Sequence, residues 1–200
     1  MAAIAVLLAC AGCSTQADPP ASTTGAVETP APSADPSTEP DDDPATPVPT
    51  LPTDLPEPLA DLVTEPVYPE AAREFTHDGA AAFIQYVIDA GNWAFATGDA
   101  SPLMEHCDKE SRYCANVADS ASEFDPAVVR FGGLAEADVT EIEIFAEASK
   151  GFASGTISRA SYVDIDASGT ILREVESNEF DAVFELAFDQ QWFLVGAGTP

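Results

Sequence analysis

The chain has 200 residues, of which 46% are hydrophobic, so it is long enough to bury one hydrophobic core. It carries 35 acidic and seven basic residues, which gives a formal net charge of −28 at pH 7. This charge argues against binding to nucleic acid or to anionic lipid head groups, because both depend on lysine and arginine side chains.

The first thirteen residues combine a short apolar run with small residues and two cysteines, in the order MAAIAVLLACAGC. This pattern is typical of a bacterial lipoprotein signal peptide, whereas a spanning helix needs about 20 apolar residues. Cys10 has Leu7 at the favoured −3 position, and Cys13 follows two small residues. Both cysteines remain candidates for lipidation, with Cys13 slightly favoured. Signal peptides begin with basic residues and none precedes Ile4, so a start codon further upstream is expected.

We therefore expect residues 1–13 to be a signal peptide with its lipobox, and the protein to be anchored by lipid on the extracytoplasmic face of the cell membrane. An anchor with more than one acyl chain holds stably without a second membrane signal.

Residues 14–69 contain 14 of the 17 prolines, together with many threonine, serine and acidic residues. Proline fixes φ and lacks a backbone donor, and the segment has too little apolar surface to offset the entropy of ordering. The segment is predicted to be a disordered stalk, followed by a folded domain at residues 70–200.

The strongest helix signal covers residues 78–97, where apolar residues follow helical spacing from Phe83 and Gly98 is placed to end the helix. Ser101 and Pro102 begin a short helix that is predicted to run to about Cys107. A third helix is predicted over 112–123.

Beyond this point the apolar period changes to two, which indicates strands. The predicted strands cover 139–148, 152–165, 170–176, 179–188 and 191–196. We expect an α+β fold in which three N-terminal helices pack on one curved antiparallel sheet to form a cone, preceded by the disordered stalk.

The domain keeps two cysteines, Cys107 and Cys114, which are seven residues apart. An exported protein favours a disulfide here. A metal site that also used His106 is the weaker alternative, because a second ligand pair at zinc spacing is missing from the sequence. The spacing also differs from the C-x-x-C of redox catalysts.

Helices followed by a curved meander resemble the nuclear-transport-factor-2-like fold. The helical segment more specifically resembles a family of uncharacterised actinobacterial lipoproteins, the domain of unknown function 6318. The matching residues are Pro69, Gly79, Ala80, Phe83, Tyr86, Asn92, Ala94, Thr97, Gly98, Asp99, Leu103, Ser111 and Cys114. The resemblance implies a lipobox, a stalk and one domain, and it implies no chemistry.

A cone of this kind often encloses a pocket, and the pocket candidates in this sequence are Tyr86, Asp89, Asn92 and His106. No catalytic motif is present, so no catalytic residue, metal or cofactor is predicted. The residues Asp164 to Gly169 spell the start of a calcium loop, D-x-D-x-S-G. Strands flank this motif and Val175 occupies the place of the bidentate glutamate, so a hairpin turn is predicted instead.

The sequence favours a lipid-anchored envelope protein whose domain is a binding or scaffolding module for an envelope protein or a small ligand. A second hypothesis is a small-molecule hydrolase, dehydratase or isomerase with its site inside the cone, using Asp89, Tyr86 or His106. A third is an extracytoplasmic sensor for a membrane protein. The oligomeric state is left open.

Overall fold

The structure is a computed structural model that describes residues 53–200. The predicted signal peptide, the lipidation candidates Cys10 and Cys13 and most of the predicted stalk lie outside the described residues. In the described part, no helix combines the length and the apolar character needed to cross a membrane.

Four α-helices occur in this part of the chain. The longest begins where the Thr76 hydroxyl accepts a hydrogen bond from the Gly79 N–H at 3.0 Å, an N-cap. It ends at Gly98, which adopts a left-handed backbone with φ of +78°. The helices are α1 Leu59–Leu62, α2 His77–Thr97, α3 Ser101–Met104 and α4 Arg112–Ser122.

Seven strands form two separate antiparallel sheets. One sheet has four strands in the order β2-β3-β6-β7, and the other has three in the order β1-β4-β5. The strands are β1 Val129–Gly132, β2 Ala135–Phe145, β3 Lys150–Arg159, β4 Tyr162–Ile165, β5 Ile171–Val175, β6 Asn178–Phe188 and β7 Trp192–Gly198.

The predicted cone, with three helices packed on one curved sheet, is therefore wrong. More of the described residues lie in strands than in α-helices, and the strands divide into two sheets, so the fold is mostly β. The predicted strand over 152–165 is in fact two strands, because the chain leaves the first sheet after Arg159 and enters the second at Tyr162. Apolar alternation continues on both sides of this break, so a period of two cannot reveal the change of sheet.

The second sheet also depends on β1, which the sequence analysis did not predict. Phe131 and Gly132 of β1 pair with Val163 and Tyr162 of β4. A Cβ at position 132 would collide with the Ser161 carbonyl oxygen, so the close approach of the two strands requires glycine there.

Helix α2 and the four-stranded sheet share the main hydrophobic core. Phe83 and Val87 of α2 pack in this core with Phe184 and Leu194, and all four are essentially inaccessible to solvent. Burial of each such side chain contributes about 1.5–3 kcal/mol to folding. Trp192 is also fully buried, and its indole N–H donates to the Glu74 carbonyl at 3.0 Å.

The folded part extends N-terminal to residue 70, the expected domain boundary. Leu59 in α1 is fully buried. The Glu57 carbonyl accepts a hydrogen bond from the Gly132 N–H at 2.9 Å, so this segment lies against β1.

A disulfide joins Cys107, which follows α3, to Cys114 in α4. The same segment pairs with β7: the Asp108 N–H donates to the Leu194 carbonyl at 2.8 Å, and the Leu194 N–H donates to the His106 carbonyl at 2.9 Å. A loop this short gives a stabilisation of about 2 kcal/mol by the chain-entropy estimate. The bond therefore fixes the start of α4 beside the four-stranded sheet.

Candidate functional site

A cavity of about 490 Å³ lies between the C-terminal half of α2, α4 and the strands β1, β4 and β5. This volume is within the range of small-molecule pockets. One part of its lining is apolar and comes from Val117 and Ala121 of α4, from Phe124, which follows α4, and from Leu172 of β5. Phe124 lies against the end of α2: its side chain is so close to Gly98 that a Cβ there would come within 2.7 Å of it.

Three of the seven basic residues of the chain line this cavity: Arg130 of β1, Arg159 at the end of β3 and Arg173 of β5. We call these three residues the arginine cluster. Three carboxylates also line the cavity, namely Glu123, Asp125 and Asp164. Glu123 and Asp125 are exposed to solvent, whereas Asp164 is buried.

Arg130 is fully engaged by protein groups. Its Nε and Nη2 donate to the two carboxylate oxygens of Asp164 at 2.7 and 2.8 Å, a bidentate pair. Its Nη1 donates to the Phe95 carbonyl at 3.2 Å. Arg130 therefore ties β1 to β4 and connects both strands to α2.

Arg159 has a different environment. It is partly buried, with its guanidinium carbon 4.5 Å from the centroid of the Phe95 ring. Among the described residues 53–200, it forms no ion pair with a carboxylate. Burial lowers the pKa of the Arg159 guanidinium, an effect that the nearby Tyr113 and Tyr162 oppose. Arginine nevertheless stays protonated in proteins, so the cavity contains a cation that no described carboxylate pairs.

Aromatic rings surround the arginine cluster. Phe95 and Tyr162 meet edge to face, with centroids 5.4 Å apart, and the guanidinium carbon of Arg130 lies 3.6 Å from the Phe95 centroid. The Arg173 guanidinium carbon lies 5.5 Å from the Tyr162 centroid. Cation–π contacts of this kind contribute about 0.5–2 kcal/mol each, depending on exposure.

Three of the four pocket candidates, Tyr86, Asp89 and Asn92, line a second cavity of about 490 Å³ beside the segment 62–67. Tyr86 donates its hydroxyl to the Pro102 carbonyl, and burial raises its pKa to about 12. Asp89 is exposed and accepts a hydrogen bond from Gln85 at 2.9 Å.

Asn92 is buried and connects α2 to the start of β2. Its Nδ2 donates to the Ala135 carbonyl at 2.8 Å, and its Oδ1 accepts from the Ala135 N–H at 2.9 Å. These two bonds use the polar atoms of its amide, so Asn92 has a structural task in this fold.

His106 is not among the residues that line this second cavity, although its ring contacts Tyr86. Its imidazole centroid is 4.2 Å from that of Tyr68 and 5.2 Å from that of Tyr86. Its Nδ1 is 3.4 Å from Gln191 Nε2. Burial lowers the pKa of His106, opposed by Glu105 and reinforced by Arg73.

The D-x-D-x-S-G motif covers the end of β4 and the turn that leads to β5. Asp166 Oδ1 accepts hydrogen bonds from the Ser168 N–H at 2.9 Å and the Thr170 N–H at 2.8 Å, and Asp164 faces Arg130 instead. Over residues 53–200, no group of three metal-ligating side chains is placed to hold an ion.

The arginine cluster and the rings of Phe95 and Tyr162 were not predicted from the sequence. The predicted candidates lie on or near α2 and α3, whereas this site draws on α2, α4 and four strands from both sheets. One signal was nevertheless present: four of the seven basic residues, Arg130, Lys150, Arg159 and Arg173, occur between positions 130 and 173, and all but Lys150 line the cavity.

Replacing Asn92 with alanine should lower the free energy of unfolding by about 3 kcal/mol, because the buried N–H and carbonyl of Ala135 lose their partners. Asp89→Ala is the matched control on the same helix, and as an exposed change it should cost less than about 0.5 kcal/mol. Urea unfolding followed by circular dichroism measures both values. Equal values for the two variants would contradict the structural task of Asn92.

The lowered pKa of His106 gives the stability a defined pH dependence. Between the folded pKa and the unfolded value of 6.5, the unfolded chain binds more protons, so this contribution grows as pH rises and is lost on acidification. Between pH 5 and pH 7.5, the unfolding free energy of the wild type should therefore rise more than that of His106→Gln. Denaturant melts at both pH values test this, with an NMR titration of the imidazole. A folded-state pKa above 6.5 would contradict it.

No curated protein matches the chain in sequence. Among solved structures, the chain is similar to the intermembrane space region of the chloroplast protein ARC6, with 15% identity and a TM-score of 0.43. The match covers 59% of this chain and 94% of that chain. A TM-score this low carries no functional argument.

Residues 57–197 match a family of unknown function, DUF6318. The matched range begins just before α1, ends within β7 and includes every residue that lines the arginine-rich cavity. The chain belongs to the DUF6318 family.

Proposed function

We propose that the protein is a lipid-anchored cell-envelope protein whose domain is a ligand-binding module, with the cavity between α2, α4 and the three-stranded sheet as its binding site. The anchor is supported by the signal-like sequence MAAIAVLLACAGC and the proline-rich segment behind it. The proposed location is the extracytoplasmic face of the membrane.

The observation that carries the binding function is the composition of the cavity wall. Ligand pockets combine apolar surface with a few convergent polar groups. This cavity has the apolar side chains of α4 and β5 on one part and the arginine cluster on another, in a chain with only seven basic residues. Two further polar residues of α4, Asn116 and Ser120, also line it and add hydrogen-bonding groups to the wall.

The enzyme hypothesis has less support. It required a site inside a cone, and the strands instead form two sheets. Of its candidate residues, Tyr86 donates to a backbone carbonyl, and His106 contacts the Tyr86 ring but does not line the cavity of Tyr86 and Asp89. A binding module does not require Tyr86, Asp89 or His106 to act as an acid, a base or a nucleophile.

The anchor is tested by the intact mass of the membrane-extracted protein, before and after reduction and alkylation. We expect a lipid-modified N-terminus at Cys13 or Cys10, and alkylation of Cys107 and Cys114 only after reduction. A mature chain without lipid mass would overturn the anchor. Alkylation of these two cysteines without prior reduction would show that they are not paired in the cell.

The proposed binding site is tested by a substitution whose large side chain fills the cavity. Ser120 and Ala115 are both exposed positions on α4, and only Ser120 lines the cavity. A panel of neutral and charged fluorinated aromatic fragments is screened by fluorine NMR against the full chain. We expect at least one fragment to bind the wild type and Ala115→Trp, and to bind Ser120→Trp at least about tenfold more weakly. A panel without hits, or hits indifferent to Ser120→Trp, would overturn the proposed site.

A further inference from the structure

Arg159 is partly buried, and no carboxylate among the described residues forms an ion pair with it. The groups that face its guanidinium are the Phe95 ring, the phenols of Tyr113 and Tyr162, and the second cation Arg130. None of these groups is a carboxylate. Partial burial removes water from the guanidinium, and a desolvated cation without a counter-ion is costly to maintain.

A comparison of the partners of Arg130 and Arg159 distinguishes an arginine with a structural role from one that is available to a ligand. Both guanidinium groups lie over the Phe95 ring, at 3.6 and 4.5 Å from its centroid. Arg130 donates to both oxygens of Asp164 and to a backbone carbonyl, so its charge is compensated within the protein. Arg159 makes the ring contact without the carboxylate. Its planar fork of N–H groups is suited to bidentate recognition of an oxyanion.

The charges around the cavity nearly cancel, so they do not offset the larger desolvation cost of a doubly charged anion, whereas one guanidinium matches a single negative charge. The arginine cluster supplies three positive charges, and Asp164, Glu123 and Asp125 supply three negative ones. The Arg130–Asp164 pair removes one charge of each sign, which leaves two cations and two exposed carboxylates. A monoanionic carboxylate meets less repulsion from these carboxylates than a dianionic phosphate does.

The apolar and aromatic residues of the cavity wall indicate the chemistry of the uncharged part of the ligand. Val117 and Leu172 offer apolar surface, and the Phe95 ring lies beside Arg159. Flat apolar groups pack well on aromatic and aliphatic surface, and burying them is favourable at about 25 cal/mol per Å². A bare anion would leave this surface uncovered.

We propose that the cavity binds a small monocarboxylate with a flat apolar body, and that the Arg159 guanidinium receives its carboxylate in a bidentate pair. This inference rests on the proposed function, because it takes the cavity to be the ligand site and adds the chemical class of the ligand.

The test uses 4-fluorobenzoate and its neutral analogue 4-fluorobenzamide, titrated into the full chain at pH 7 and followed by fluorine NMR. We expect the benzoate to bind at least about tenfold more tightly than the amide, because a hydrogen-bonded charge pair adds about 1.5–3 kcal/mol. Binding of the benzoate should also shift the Arg159 Nε–Hε resonance. Inorganic phosphate should compete only at concentrations at least about tenfold higher.

The variants isolate the role of the guanidinium. Arg159→Gln should remove the preference for the benzoate, and Arg159→Lys, which keeps the charge but not the fork, should retain part of it. Arg73→Gln removes the same charge from an exposed arginine outside the cavity lining, and it should leave the preference unchanged. Circular dichroism checks that each variant is folded. If Arg159→Gln does not fold, the wild-type comparison and the Nε–Hε shift decide.

Several outcomes would overturn the inference: equal affinity for benzoate and amide, phosphate competition at equal concentration, or the same loss of preference in Arg73→Gln. If the amide binds equally well and Ser120→Trp blocks it, the anion assignment fails while the proposed binding site stands. If the benzoate preference survives in Ser120→Trp, the ligand binds elsewhere and both proposals fail. If neither probe binds, the carboxylate inference fails, and the fragment panel alone decides the proposed function.

Discussion

Arg130 links the three-stranded sheet to helix α2. Its ion pair with Asp164 joins β1 to β4 within the sheet through two short hydrogen bonds, and its remaining guanidinium nitrogen, Nη1, donates to the Phe95 carbonyl on α2. Removing one partner of such a buried pair costs about 3–5 kcal/mol, because the other charge then lacks compensation. These contacts connect two strands and the helix that line the cavity, so the shape of the proposed binding site depends on an arginine whose hydrogen bonds all go to protein groups.

Local periodicity predicted the elements well but not their assembly. The helix predicted over 78–97 lies at His77–Thr97, and the strand predicted over 179–188 lies at Asn178–Phe188, because side-chain spacing and the caps at Thr76 and Gly98 are local properties. The division into two sheets depends on the backbone at Ala160 and Ser161, where the N–H of Ala160 donates to the Leu134 carbonyl. That contact joins residues distant in sequence, so no window of apolar alternation contains it.

The site was less predictable than the fold for a related reason. Tyr86, Asp89 and Asn92 attract attention in the sequence because they are polar residues on one helix, and the structure gives two of them backbone hydrogen bonds. Arg130 and Arg159 are distinguished only by their partners, since one meets Asp164 and the other meets none of the described carboxylates. Which arginine is compensated depends on strand register, and the register in turn depends on the division into two sheets.

Gly98 links the end of α2 to the wall of the cavity. Two features disfavour a side chain at this position. The backbone has a φ of +78°, and a Cβ would lie 2.7 Å from the Phe124 side chain. Asparagine tolerates the left-handed backbone but still meets the Phe124 side chain, and a smaller residue at position 124 keeps the Cβ that makes the closest contact. A substitution at position 98 therefore meets both obstacles at once, so the end of α2 and this part of the cavity wall cannot be altered independently of each other.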